Sequence, residues 1–162
     1  MNYRIMGGKF KFSYGGGVEM VSKVMFSSKI EEYGTPQKLF DQLNLEFGPF
    51  TLDPCATMEN AKCKTFFTRK ENGLIQSWGK SKVFMNPPYG KNIRAWIQKA
   101  YDSSKSGATV ICLVPARVST AWWHDLVEGK AQYRFIRGKL KFEGAPWVSP
   151  FPSAILIYRP CP

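Results

Sequence analysis

Asn86-Pro87-Pro88-Tyr89 is a group of residues whose types suit one task, gripping an amine. The Asn86 side-chain oxygen and the Pro87 carbonyl are acceptors. The two prolines fix φ and remove two backbone donors, so these carbonyls have no competing local bonds and stand as a stiff pair. An amine on an aromatic ring is a poor nucleophile, because its lone pair is delocalised into the ring. If each acceptor takes one amine hydrogen, the nitrogen becomes more tetrahedral and its lone pair is aimed at a methyl sulfonium. Tyr89 adds a face for a base to stack on, worth about 1–3 kcal/mol per base. Asn86 is neutral, so the scheme is in-line methyl transfer followed by proton loss to water, with no general base. An amine inside a duplex has to be turned out of the stack first.

The surrounding elements place this loop at a strand end. Val83-Phe84-Met85 is short and apolar, and predicts a buried strand that stops at Asn86. Phe50-Thr51-Leu52 predicts a second strand running into Asp53-Pro54. In an open α/β sheet ligands bind outside the carboxyl ends of the strands, so both loops are expected to line one crevice. Upstream, Thr35 as N-cap and Pro36 at the first helical position predict a helix with Leu39, Phe40, Leu43 and Phe47 on its inner face, stopped by Gly48-Pro49. Residues 64–68 form a weaker strand pattern. Asn92 is placed to cap a helix striped with Ile93, Trp96, Ile97, Ala100 and Tyr101, and the strongest strand follows at residues 108–114. Strand, helix and strand predict a right-handed parallel unit. A helix near residues 121–127 precedes strands near residues 133–136, 140–142 and 154–158, with Arg137-Gly138-Lys139 as a hairpin turn. The fold class is therefore α/β, a mixed, mostly parallel sheet with a β-rich C-terminal return.

Composition narrows the partner. The 162 residues are 44% hydrophobic and 15% aromatic, enough for one domain with a sizeable core. The longest apolar stretch, residues 108–114, is too short to cross a bilayer, and a cytosolic protein is expected. Cys55, Cys63, Cys112 and Cys161 have no paired spacing and His124 stands alone, so free thiols and no metal are expected. The net charge of +11 favours a polyanion, nucleic acid first, with a merely solvated basic face as the alternative. Residues 1–30, broken by Gly7-Gly8 and Gly15-Gly16-Gly17, are read as a flexible basic arm, and residues 31–162 as a single domain still carrying +7. A translation start at Met20 or Met25 is the alternative reading of that arm.

The chain resembles the DNA N-6-adenine methyltransferases of the Dam type carried by phages and prophages. The resemblance runs through Ser28-Lys29, Thr35-Pro36-Gln37, Leu52-Asp53-Pro54-Cys55-Ala56, Asn60-Ala61-Lys62-Cys63, Phe66-Phe67-Thr68, Gly73-Leu74 with Trp78, Asn86-Pro87-Pro88-Tyr89-Gly90, Leu113-Val114-Pro115-Ala116-Arg117 with Trp122-Trp123, and Phe151-Pro152-Ser153-Ala154. It implies a Rossmann-like methyltransferase fold, S-adenosylmethionine as donor, adenine in double-stranded DNA as acceptor, and a role such as protecting phage DNA from restriction. It implies that Asp53, Pro54, Cys55 and Ala56 form the cofactor loop, that Thr35 and Pro36 close the cofactor site, and that Asn86, Pro87, Pro88 and Tyr89 form the catalytic loop.

Residues 53–57 hold no glycine, unlike the cofactor loop of the wider superfamily. Glu71 is a candidate for the ribose, with a solvated charge as the alternative. No separate target-recognition domain is visible, which leaves base sequence to loops or a partner, and no signal bears on oligomeric state. Arg117 is a candidate for phosphate or base contact, or else for a surface salt bridge. Arg137, Lys139 and Lys141 suit phosphate contact on a hairpin, or else block edge pairing. Trp122 and Trp123 are expected in the core or at its rim. RNA bases and a protein glutamine amide present the same amine geometry and remain alternative substrates. A non-catalytic nucleic-acid binder is the third reading.

Overall fold

Both faces of the central sheet are greasy, and that decides the architecture. The computed structural model describes residues 33–160; the expected arm, with Ser28-Lys29 and the alternative starts, and Cys161 lie outside the described residues. Strands β1 (Leu52–Asp53), β2 (Thr65–Phe66), β3 (Lys82–Met85), β4 (Thr109–Pro115), β5 (Gln132–Phe135) and β6 (Ser153–Tyr158) form one sheet in the order β2-β1-β3-β4-β6-β5. The first four are parallel, and β6 runs antiparallel to both its neighbours, so β5 points with the first four. The mixed, mostly parallel α/β sheet expected from the sequence is the one observed.

Side chains alternate between the faces, as strand geometry requires. Val83, Met85, Val110, Cys112, Val114, Leu156 and Tyr158 point to one side, where helices α2 (Ile93–Lys105) and α3 (Ala121–Leu126) cover them with Trp96, Ile97, Ala100, Trp122 and Trp123. Phe84, Ile111, Leu113, Ile155 and Ile157 point to the other, against Phe40, Leu43 and Phe47 of α1 (Gln37–Phe47). Burial on two faces explains why these strands read as continuous apolar runs. The expected stripe of α2 is largely buried, and Trp122, Trp123 and Cys112 are core residues. Cys55, Cys63 and Cys112 are free thiols.

Two local expectations are corrected. Thr35 is not the cap of α1: Pro36 is extended (φ −55°, ψ 127°) and is itself the N-cap, its carbonyl accepting from Leu39 and Phe40. The exposed first amide, Gln37 N, is instead satisfied from across the chain by Glu143 Oε1 at 2.8 Å. Residues 140–142 form no strand, and there is no hairpin at Gly138, because β5 pairs with β6 alone. The segment crosses the sheet's edge as an irregular loop, sinks Phe142 into the core and makes a two-way backbone bridge from Glu143 to Gly34. An extended loop with one buried residue imitates the two-residue period of a strand.

Candidate active site

The strand order supplies the site. From β1 the chain moves outward to β2 and then returns to lay β3 on the other side of β1, so the order reverses between β1 and β3. At such a reversal the loops leaving adjacent strands part and leave a crevice at their carboxyl ends. The loops at that point begin with Asp53 and Asn86. A cleft of about 1200 Å3 opens there, larger than the roughly 300–1,000 Å3 of a site for one small ligand. A donor and an acceptor have room side by side.

Most of the sequence candidates meet in this cleft: Asn86, Pro88, Tyr89, Thr35, Asp53, Pro54, Cys55, Ala56 and Arg117 all line it. Pro87 is buried and Pro36 caps α1, both outside the lining. Arg137, Lys139 and Lys141 are exposed and lie outside it too. Glu71 is also outside, its carboxylate taken up by the Thr68 N–H and hydroxyl at 2.7 and 2.9 Å.

The orientation of Asn86 is fixed by chemistry. Its Nδ2 donates to the Tyr33 carbonyl at 3.2 Å, a contact the side-chain oxygen cannot make, since both atoms would be acceptors. Oδ1 is thereby left as the side chain's outward acceptor. Tyr89 is half-buried, anchored through its hydroxyl to the Leu113 carbonyl at 3.3 Å and flanked edge-on by Phe142 and Phe151 at 5.9 and 5.8 Å. Burial holds that hydroxyl well above its ordinary range, so Tyr89 is a neutral ring at working pH.

Asp53 is 4% exposed. Its oxygens accept the Cys55 and Lys62 backbone N–H groups at 3.4 and 3.2 Å, which curls residues 54–62 over the cleft. Burial pushes its carboxyl from 3.8 up to about 6, against the pull of those two amides and of Lys62. Burial, then Asp53, holds the Cys55 thiol well above its ordinary range.

A second network ties the walls together. Lys62 Nζ reaches Glu143 Oε2 at 2.9 Å and Gln37 Oε1 at 2.8 Å, while Glu143 also holds Gln37 N and bridges Gly34. The bridge fixes Gly34, and the residue before it, Tyr33, offers its carbonyl to Asn86. On the far wall Trp78 Nε1 donates to the Gly73 carbonyl at 2.9 Å, seating residues 68–78 against Pro54.

Sequence reasoning missed Tyr33, Lys62, Arg69, Lys70, Gly73, Lys91 and Glu143. Five cations (Lys62, Arg69, Lys70, Lys91 and Arg117) and one carboxylate line the cleft, so the basic balance of the chain is focused at the site. Arg69-Lys70 directly follows the quoted Phe66-Phe67-Thr68 block and was the one readable signal; the Glu143 and Tyr33 contacts join residues too far apart in sequence. Among the described residues there is no group of three His, Cys, Asp or Glu that could hold a metal ion, and no helix long and apolar enough to cross a membrane.

A family model described as DNA N-6-adenine-methyltransferase (Dam) matches residues 24–152. The DNA N-6-adenine-methyltransferase of Escherichia phage T1 is 31% identical over 109 residues, 67% of this chain and 45% of that protein. A protein of Escherichia coli strain K12 that carries the name methyltransferase YfdM is 37% identical over 65 residues, 36% of this chain and 71% of its own length. The match thus spans less than half of the phage T1 protein. Among solved structures, Thermoplasma acidophilum 1320 overlays 75% of this chain and 85% of its own at 12% identity with a TM-score of 0.41. A second structure from the same organism overlays 80% of this chain and 66% of its own at 13% identity with a TM-score of 0.39. Likenesses that distant add nothing to the sheet order described above.

Proposed function

The chain belongs to the DNA N-6-adenine-methyltransferase (Dam) family, and from that premise we propose that residues 31–162 form a single domain that methylates the exocyclic amine of an adenine turned out of double-stranded DNA. The observation that carries this reading is the Asn86 amide, pinned by Tyr33 with Oδ1 free at the sheet's switch point. Asn86 Oδ1 takes one amine hydrogen and the Tyr89 ring supports the base; Pro87 lies buried behind the lining, so its carbonyl takes the other hydrogen only if the base reaches past Asn86 and Pro88. The amide cannot keep a proton, so the proton of the methylated amine leaves to water. Lys70, Lys91 and Arg117, at the same opening, suit a DNA backbone.

The donor wall fits S-adenosylmethionine. Asp53 offers a buried carboxylate to a cationic ligand group, and Thr35, Pro54, Cys55 and Ala56 give a close, mostly apolar surface. S-adenosylmethionine, when bound, supplies a methyl group on a sulfonium sulfur. A buried carboxylate whose pKa is raised is destabilising when ionised. Its contribution to stability is full below pH 3.8 and lost as pH rises through about 6, on the order of 3 kcal/mol in all and about 1 kcal/mol between pH 5 and 8. Urea unfolding of the ligand-free protein should therefore show a smaller loss of stability from pH 5 to 8 in Asp53→Asn than in wild type. The same variant should bind S-adenosylmethionine at least about tenfold more weakly at pH 8 by calorimetry. Unchanged affinity would remove Asp53 from the donor site.

Tritiated-methyl transfer tests the substrate. Label is expected in adenine of plasmid DNA, and not in RNA or in a glutamine-containing peptide. Label confined to RNA or peptide would give the same amine geometry a different owner, and tight DNA binding with no label anywhere would leave a non-catalytic binder. A DNA-modifying enzyme of this kind works beside its substrate, in the cytoplasm of a bacterial host, and protection of phage DNA from restriction is a role that suits it.

A further inference from the structure

The loop between β5 and β6 lies on the same sheet edge as the cleft, because β5 ends and β6 begins there. Its two stems are pinned on either side of the tip. Ser149 N donates to the Leu140 carbonyl at 2.7 Å, and Phe142 and Phe151 each pack edge-on against Tyr89. Between the pins the chain reads Ala145-Pro146-Trp147-Val148-Ser149-Pro150, with a proline on each side of the tip. Prolines restrict φ, so the tip is held with little left to order on binding. At that tip Trp147 is 75% exposed and Val148 53% exposed. The largest apolar side chain of the chain's repertoire is thus shown to solvent on a stiff mount, in a loop whose Phe142 and Phe151 both pack on the proposed catalytic tyrosine.

The surroundings say what it meets. Arg137, Lys139 and Lys141 are exposed on the incoming stem, and Arg117 lies over the Phe151 ring at 5.6 Å on the outgoing one. An apolar plane at the tip of a loop whose incoming stem carries three exposed cations suits a stack of bases between two phosphate backbones, and neither an apolar protein face nor a free anion asks for both.

We propose that Trp147 is a wedge that enters the DNA base stack at the gap left by the extruded nucleotide, with Arg137, Lys139 and Lys141 on the flanking phosphates. This deepens the reading of the site as an adenine methyltransferase and rests on it. Extrusion leaves a hole whose neighbours have lost a stacking face, and an indole fills such a hole. A single strand has no such hole, so Trp147 matters far less there.

The test compares binding of the full chain to sheared plasmid DNA, native and heat-denatured, which offers every short sequence context. Trp147→Ala is expected to weaken native binding about tenfold or more and denatured binding less than about threefold, with Trp147→Phe recovering most of the loss. Equal weakening on both forms would make Trp147 an ordinary stacking contact and overturn the wedge, as would no weakening at all. Circular dichroism and S-adenosylmethionine binding of the alanine variant should match wild type; a change in either would mean that the tip holds the fold, and would overturn the wedge as well. If wild type binds native DNA but transfers no methyl group, the enzymatic reading fails, while the native-against-denatured comparison still decides the role of Trp147.

Discussion

Asn86→Ala should lower methyl transfer to DNA by at least about a thousandfold while S-adenosylmethionine binding stays within about threefold of wild type. The size follows from what the residue supplies. Removing one preorganised partner of a developing charge typically costs about a hundredfold to a thousandfold in turnover, and here the same atom also sets the direction of the lone pair. The split between turnover and donor affinity follows from where the residue sits. Asn86 leaves β3 and faces its neighbour through Tyr33, whereas the proposed donor wall leaves β1 at Asp53. Asn86→Asp sharpens the expectation. A carboxylate still accepts a hydrogen, but it has no N–H for the Tyr33 carbonyl, and two acceptors now face each other. Its activity should fall between wild type and alanine. Single-turnover rates with saturating donor read both variants, and turnover retained in Asn86→Ala would overturn the proposed mechanism.

Much of this site was legible because its chemistry is local. Asn86-Pro87-Pro88-Tyr89 declares its acceptors and its stiffness within four residues, and the apolar run before it declares a strand end. Two such ends at Asp53 and Asn86 sufficed to expect one crevice, and both line it. What stayed hidden is long-range. That β6 inserts between β4 and β5 depends on pairing along its whole length, although its unbroken burial is consistent with the continuous Ala154-Ile155-Leu156-Ile157 run. The acceptor for the first amide of α1 arrives from Glu143, more than a hundred residues on, so the local Thr35-Pro36 pattern pointed to the wrong cap. The basic residues at 137, 139 and 141 suggested a hairpin because alternation alone does not tell an edge strand from an extended loop with Phe142 buried. Lys91 gave no sign of facing the cleft, and Arg69-Lys70 none beyond their place after Phe66-Phe67-Thr68, since exposed cations look alike in sequence until a fold gathers them.

Gly73→Ala should destabilise the protein by about 3–5 kcal/mol and weaken S-adenosylmethionine binding in whatever folded fraction remains. A Cβ at Gly73 would stand 2.0 Å from the Pro54 carbonyl oxygen and 3.0 Å from its carbon. Both are backbone atoms, so no rotamer change relieves the clash. Relief has to come from moving one wall. Residues 68–78 are held by the buried Trp78, whose indole N–H grips the Gly73 carbonyl itself, and moving them would strip a buried donor of its partner. The alternative is to push Pro54 away, and Pro54 follows Asp53, whose carboxylate holds the Cys55 and Lys62 amides. Either way the strain enters the loop proposed to hold the donor. The glycine here serves closeness and not a left-handed turn, for its φ is not in the positive region, unlike that of Gly79 or Gly107. That difference supplies the control. Gly79 has open space around its missing Cβ, so Gly79→Ala meets only the penalty of a positive φ, about 1 kcal/mol, and should leave donor binding intact. Urea unfolding and calorimetry on the pair separate the two effects, and a Gly73→Ala protein as stable as wild type would show that the contact with Pro54 is not what shapes the donor wall.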